Sequence, residues 1–298
     1  MIEIQRTLLE WYARDARSFP WRYVNPEPYH VLISEYMLQQ TQTQRIAERF
    51  PVFIEQYPNV QVLSETTKQE IIMAWQGLGY NNRALRLREC AIAIVEKFGG
   101  IIPDAYDELI SLPGIGPYTA SAIMAFAHGK DMSIIDVNIF RIYARLMGIS
   151  DPADAKKSVI ASFADQAYPR GKASEWHQAL MDIGATLCKA NHAVCNECPL
   201  HLHCKSAFQV QMQVKKKSRK EPSHRDVPNR IWRGRTIECL RNRPLYAESK
   251  ELLLSAIIEH PVNEQDIHWF DQTILPALVK DSLIEYDIHT HIVSIATQ

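Results

Sequence analysis

Four of the six cysteines fall within seventeen residues, spaced Cys188-x6-Cys195-x2-Cys198-x5-Cys204. A fold that uses the four together has to bring those side chains round a common point. In a chain without the marks of secretion, such crowding reads as a metal ligand set rather than a disulfide framework. Four thiolates suffice for tetrahedral zinc or for a [4Fe–4S] cluster. Structural zinc sites usually have two short pairs, and a first gap of six is too long for a knuckle, so the spacing tilts towards the cluster. Cys90 and Cys239 stand apart.

The remaining composition is ordinary for a soluble globular protein, with 46% hydrophobic and 22% charged residues among 298. That length suffices for two domains or three. No apolar run approaches the roughly 20 residues of a membrane span. The opening MIEIQRTLLEWYARD is charged and amphipathic, without the apolar stretch of a secretory signal, so a cytoplasmic location is expected. A net charge of -1 neither supports nor excludes a nucleic-acid partner. Basic residues cluster at Arg83, Arg86 and Arg88 and again over Lys215–Lys220, whereas the acids are spread.

From residue 1 to about 206 the pattern is helical. Apolar residues recur at three- and four-residue spacing in ISEYMLQQTQTQRIAERF, QEIIMAWQGLGY, ALRLRECAIAIVEKF and YTASAIMAFAHG. Gly99-Gly100 and Pro113-Gly114 fall where helices stop. Residues 207–228 are polar, basic and dotted with proline, which predicts a linker. Beyond it RIWRGRTIECLRNR, SKELLLSAIIE and the stretch from Gln265 to about Lys280 predict helices, and LIEYDIHTHIVSIA alternates like a terminal hairpin. The expected fold is therefore all-α over residues 1–206, with a small α+β, winged-helix-like module over 229–298.

DAYDELISLPGIGPYTASAIMAF predicts a helix, a tight turn and a second helix starting near Pro117. Gly114 and Gly116 let the turn at Ile115 approach another molecule closely. The free N–H groups that open the second helix suit a phosphate oxygen, and such a hairpin grips a DNA backbone without reading sequence. An ordinary helix–helix connection is the alternative. Two carboxylates stand in apolar surroundings: Glu35 beside Ile33, Tyr36 and Met37, and Asp136 behind SII. Desolvation raises a carboxyl pKa and suits a general acid, while a second carboxylate kept charged can stabilise a cation or attack it. Releasing a base from deoxyribose needs that division of labour, by the logic of glycosidases. Capping a helix is the competing role for Asp136.

Together these segments resemble the endonuclease III superfamily and, within it, the MutY-type adenine-DNA glycosylases, over roughly residues 5–206. Cys188, Cys195, Cys198 and Cys204 match the family's iron–sulfur loop. LPGIGPYTASAI matches its hairpin, with Gly114, Ile115 and Gly116 towards the DNA backbone, and IIDVNIFRI its catalytic-aspartate segment. FPWRYVNPEPYHVLISEYMLQQTQ matches the stretch that sets adenine glycosylases apart from their relatives. The resemblance implies a two-domain helix-hairpin-helix fold: a six-helix domain over about 23–130, and a cluster domain from 1–22 and 131–206. It implies a [4Fe–4S] cofactor, and a monomer acting on mismatched or damaged duplex DNA. Glu35 would protonate adenine at N7 and Asp136 would stabilise the oxocarbenium ion, with Asn138 and Tyr118 beside them. Bifunctional relatives place a lysine at the Tyr118 position, so a monofunctional enzyme leaving an abasic site is implied. Arg17, Phe19, Trp21 and Arg22 resemble the wall of the adenine pocket, and Gln178 a residue touching the extruded base. Gln40 and Tyr80 resemble residues that wedge into the duplex, offsetting the few kcal/mol that extrusion costs. Read without the resemblance, Trp21 and Tyr80 would be core aromatics, and Arg17 and Arg22 solvated surface.

Two departures stand out. Residues 229–298 are too short for the family's Nudix-type domain, and its GLGYY reads GLGYN here, with Asn81 replacing an aromatic. Both touch on sensing of the base opposite adenine. Thymine or uracil excision within the same superfamily is the nearest rival, echoed by Tyr80-Asn81-Asn82-Arg83. A non-catalytic DNA-binding scaffold is the rival from another class. The tail has two readings, nonspecific duplex affinity through Arg230, Arg233, Arg235 and the Lys215–Lys220 run, or docking of a protein partner.

Overall fold

The computed structural model describes residues 1–22, 26–149, 151–209 and 221–297; the basic run Lys215–Lys220 lies outside them. Among the described residues up to 209, regular structure is helical apart from one isolated bridge between Cys188 and Ala193. No helix among the described residues is long and apolar enough to cross a membrane. The chain divides into two compact units, residues 1–35 with 102–217, and residues 36–101 with 218–298.

In the first unit, the helix Val137–Leu146 places Ile139, Ile142, Tyr143 and Leu146 on one stripe, the spacing of a buried helical face. They join Leu8 of the helix Ile2–Asp15, and Trp176, Leu180 and Ile183 of Ala173–Thr186, in one core. Trp176 Nε1 donates to the Tyr143 hydroxyl at 2.9 Å inside it. The hairpin lies here too: Tyr106–Ile110, a turn in which Gly114 has φ 77°, and Pro117–Phe126 opened by Pro at its first position. Ala122 and Ala125 of that second helix belong to the same core. This packing draws 102–130 to the cysteine-bearing residues, so the division differs from the expected one of 23–130 against 1–22 plus 131–206.

In the second unit, helices Thr43–Gln56, Val60–Ser64, Lys68–Ala74 and Asn82–Phe98 follow one another. Asn59 caps the second of these, and a Thr67–Glu70 capping box opens the third. The helical run expected through ISEYMLQQTQTQRIAERF is broken. One helix ends at Leu38, the next starts at Thr43, and Gln40 at the tip has φ 58°. QQTQTQ contains no apolar residue to hold a turn of helix against a core.

The C-terminal residues group with 36–101 rather than standing apart. They form helices Asn229–Arg241, Lys250–Ile257 and Glu264–Trp269, the last continuing through a π turn into Leu275–Lys280. Ile284–Asp287 pairs antiparallel with Ile292–Ile295 as the terminal hairpin, and a third strand, Ala247–Ser249, adds to the other edge of Ile292–Ile295. Within the expected linker, Ser223–His224 pairs with Val227–Pro228.

Candidate active site

Glu35 lies in the helix Pro28–Leu38, where every residue from Val31 to Met37 is buried. A helix apolar all round offers its one carboxyl no watery side. Glu35 is 5% exposed, and burial pushes its pKa up to about 7, with the negative charge of Asp136 adding to the rise. The Tyr118 hydroxyl, donating to Glu35, and the nearby Arg22 cation pull the other way. Burial, then Glu35 and Asp136, hold the Tyr118 phenol well above its ordinary value, so it stays a proton donor. Glu35, Tyr118 and Asp136, scattered over a hundred residues of chain, are thus one electrostatic cluster in the first unit.

Asp136 occupies the N-cap of Val137–Leu146. Its Oδ1 accepts from the backbone N–H of Asn138 at 2.9 Å and of Ile139 at 2.7 Å, and its Oδ2 from Asn138 Nδ2 at 2.9 Å. Asn138 is fixed in turn, because its Oδ1 accepts from Arg141 Nη2 at 2.9 Å. Arg141 also donates to the carbonyls of Gly184, at 3.0 Å, and Cys188, at 2.9 Å. Gly184 permits this approach: a Cβ there would sit 2.7 Å from Asn138 Cβ. The strand of chain leading into Asp136 is pinned by Ile134 N–H donating to His177 Nε2 at 3.1 Å. Burial lowers His177 to about 4, so the ring is neutral and its Nδ1–H faces the Ala173 carbonyl at 2.6 Å.

Arg17 and Arg22 are not solvated surface. Both clamp the fully buried Asp182, Arg17 Nε at 2.7 Å and Arg22 Nη1 at 2.8 Å. Their guanidiniums lie 4.9 and 5.1 Å from the centre of the Phe19 ring, and Phe19 stacks on Trp21 at 4.9 Å with the planes 2° apart. Trp21 is 8% exposed and belongs to the core, whereas Phe19 is half-buried. Gln178 holds Tyr12, whose hydroxyl donates to its Oε1 at 2.8 Å, and its Nε2 donates to Ser174 at 3.1 Å. Of the hairpin residues Gly114 is exposed and Gly116 half-buried, but the Ile115 side chain is buried, leaving only its backbone to face a partner.

Gln40 and Tyr80 belong to the second unit, both at exposed tips and both with positive φ, 58° and 46°. Arg83, far from being part of a basic patch, is buried and braces the two tips. Its Nη1 donates to the carbonyls of Tyr36 and Met37, and its Nη2 to Thr41 Oγ1 and the carbonyls of Leu78 and Gly79, all within 3.0 Å.

The four cysteines follow the helix Ala173–Thr186, on a loop carrying single helical turns at Cys195–Glu197 and His201–His203. Burial pushes the Cys198 thiol up to about 12, and Cys188, Cys204 and Cys195 all lie near enough to add to it. Arg145, 2% exposed, organises the loop. It donates to Cys188 Sγ at 3.1 Å and to the Lys189 and Ala190 carbonyls, while its own carbonyl lies 3.4 Å from Cys204 Sγ. Among the described residues no three His, Cys, Asp or Glu side chains close round a point at single-ion spacing. Four thiols on one loop, with the Arg145 cation at the edge, nonetheless offer the all-sulfur chemistry that an iron–sulfur group takes.

Residues 33–164 match the HhH-GPD superfamily of base excision DNA repair proteins. The adenine DNA glycosylase of Mycolicibacterium smegmatis is 33% identical over 238 residues, covering 79% of this chain and 79% of that one. The chain belongs to the adenine DNA glycosylase family. Another family member, from Mycobacterium tuberculosis, is 38% identical over 197 residues, and there the match spans 65% of this chain and 64% of the relative, just under two thirds of its length. The solved structure of a thermostable thymine-DNA glycosylase superposes with a TM-score of 0.64 at 28% identity, over 70% of this chain and 96% of its own.

Arg141, Arg145, Asp182 and Gly184 were not singled out from the sequence. Asp182 alone left a signal, a carboxylate within the apolar helical run ALMDIGATL, the same mark that drew attention to Glu35.

Proposed function

We propose that the chain excises adenine mispaired with guanine or 8-oxoguanine from duplex DNA, as a monofunctional glycosylase that leaves an abasic site. The observation that carries this reading is Glu35, buried and raised to about 7, within the field of Asp136. Glu35 gives its proton to N7 of adenine, which turns the base into a neutral leaving group as the bond from C1′ to N9 breaks. The electron pair leaves with the base and an oxocarbenium ion remains. Asp136, aimed by Asn138 and by the helix N-terminus, places its carboxylate against that cation. Its negative charge stabilises the cation. Water completes the addition at C1′, and its proton returns to the carboxylates. Tyr118 supplies a phenol where bifunctional relatives have an amine, so no Schiff base forms and the strand stays intact. The Phe19–Trp21 stack, locked by Arg17, Arg22 and Asp182, supports a wall for a planar base, with Gln178 at the same group of helices. We read the tail, in its order of helix, strand, two helices and hairpin, as a winged helix.

Single-turnover release from duplexes with adenine opposite 8-oxoguanine, adenine opposite guanine, thymine opposite guanine and uracil opposite guanine tests the substrate. Adenine alone is expected to appear. The likeness to a thymine-DNA glycosylase favours a second reading, and release of thymine or uracil would put it first while keeping the aspartate mechanism.

Cys188, Cys195, Cys198 and Cys204 are the residues that would hold a [4Fe–4S] cluster, whose part here is to tie the loop together. Purified protein should be brown and contain iron and acid-labile sulfide, and Cys198→Ser should lose iron and melt at a lower temperature. Stoichiometric zinc in place of iron would overturn the assignment.

A further inference from the structure

Residues 36–101 and 218–298 share a seam that neither the carboxylates nor the cysteine loop uses. Arg241 ends the helix Asn229–Arg241 and is 7% exposed. Its Nη2 donates to the Ile72 carbonyl at 2.6 Å and to Asn81 Oδ1 at 2.9 Å, and its Nη1 to Glu238 at 2.9 Å. Gln76 Nε2 donates to the other Glu238 oxygen. A guanidinium stays buried only where its donors are taken up, so the C-terminal helix is locked to the segment that carries Tyr80. Asn81, the residue that replaces an aromatic in GLGYN, is the acceptor in that lock.

The same helix also reaches Tyr80 itself. Arg230, near its start, lies within hydrogen-bonding reach of the Tyr80 hydroxyl. Between the two elements is a cavity of 410 Å³ lined by Gln40, Arg45, Tyr80, Asn82, Arg230 and Arg233 among others, and every charged residue lining it is an arginine. Cations grouped beside an exposed aromatic and an amide are complementary to a phosphate backbone with its bases. The three C-terminal arginines are not equivalent. Arg233 is committed to Asp281, and Arg235 stacks over Trp232 at 4.7 Å and does not line the cavity. Arg230 is paired with Glu221 at 3.0 Å, with both side chains about half exposed, and faces the Tyr80 hydroxyl. Such pairs are weak and readily exchanged for a phosphate.

We propose that the C-terminal helix is part of the DNA-binding surface. Arg230, together with Arg45, contacts a phosphate of the duplex engaged by the Gln40 and Tyr80 tips, and Arg241 is a positioning residue that fixes Tyr80 through Asn81. The proposal rests on the glycosylase reading above for its ligand, double-stranded DNA.

Binding of the full chain to a duplex carrying a tetrahydrofuran abasic analogue opposite guanine, measured across a range of salt concentrations, tests it. Arg230→Ala should weaken binding and reduce the slope of log K against log salt by about one, the loss of one phosphate contact. Arg235→Ala should change neither. Arg241→Met should weaken binding with the slope kept, and should diminish the fluorescence change of 2-aminopurine placed beside the analogue, because the Tyr80 tip no longer inserts. Unchanged affinity and slope in Arg230→Ala would overturn the proposal and leave the cavity to another anion, such as an acidic protein segment. Wild-type protein that binds this duplex yet releases no adenine would sink the glycosylase reading alone, since the salt slopes still decide the phosphate contact.

Discussion

Asp136→Asn is expected to abolish base release while the fold and duplex binding survive. The aspartate has two jobs that this substitution separates. As a cap it offers Oδ1 to two backbone N–H groups, and asparagine caps helices about as well as aspartate does. As the partner of an oxocarbenium ion it offers charge, which asparagine lacks. The new amide cannot simply turn to suit Asn138. Asn138 presents Nδ2 to residue 136 because its Oδ1 is held by Arg141, so one hydrogen bond is lost, a cost of about 1 kcal/mol. The single-turnover rate should therefore fall by at least on the order of 10³-fold, the scale of removing one aligned electrostatic group, against a small loss in thermal stability. A rate near wild type would remove Asp136 from the mechanism.

The double role of Asp136 shows where sequence reasoning reaches its limit. The pattern SIIDVNIFRI is as good for a cap as for a catalytic carboxylate; the structure shows the cap, and the proposed mechanism adds the second role. Glu35 was legible because its neighbours Ile33, Tyr36 and Met37 announce burial, and burial is what moves its proton. The partners of Arg17 and Arg22 were not legible, because Asp182 lies about 160 residues away and ion pairing leaves no periodic trace. Arg83 and Arg241 illustrate the same gap. Each counts as surface charge in a sequence, and each proves to be a buried anchor, Arg83 mostly on backbone carbonyls and Arg241 on one carbonyl and two side chains. Alternation gave away the terminal hairpin, but Ala247–Ser249, three residues long, is too short to alternate. No glycine or proline marks the break at Gln40, and its one trace is the polar run QQTQTQ; Arg83 braces it from across the unit.

Base release should follow the protonation of Glu35, level just below about 7 and falling about tenfold per pH unit above it, where the carboxyl ionises. With an ordinary carboxyl pKa of 4.5, the acid form at neutral pH would be scarcer on the order of 10²-fold. The alkaline limb of a single-turnover pH profile on adenine opposite guanine measures this directly. Tyr118→Phe should move that limb to higher pH, since the hydroxyl favours the charged carboxylate. Glu35→Gln should lower the plateau about 10²–10⁴-fold, the usual worth of a general acid, and erase the limb. Stability should move the other way. Because the folded chain holds this proton more tightly than the unfolded one, the associated stability is full below about 4.5 and is lost as pH rises through about 7. Glutamine never ionises, so above that pH the variant should be more stable than wild type by up to about 3 kcal/mol. Thermal melts at pH 6 and pH 9 check it. A stability gain that failed to grow with pH would mean that the acid is not Glu35, or that water reaches it.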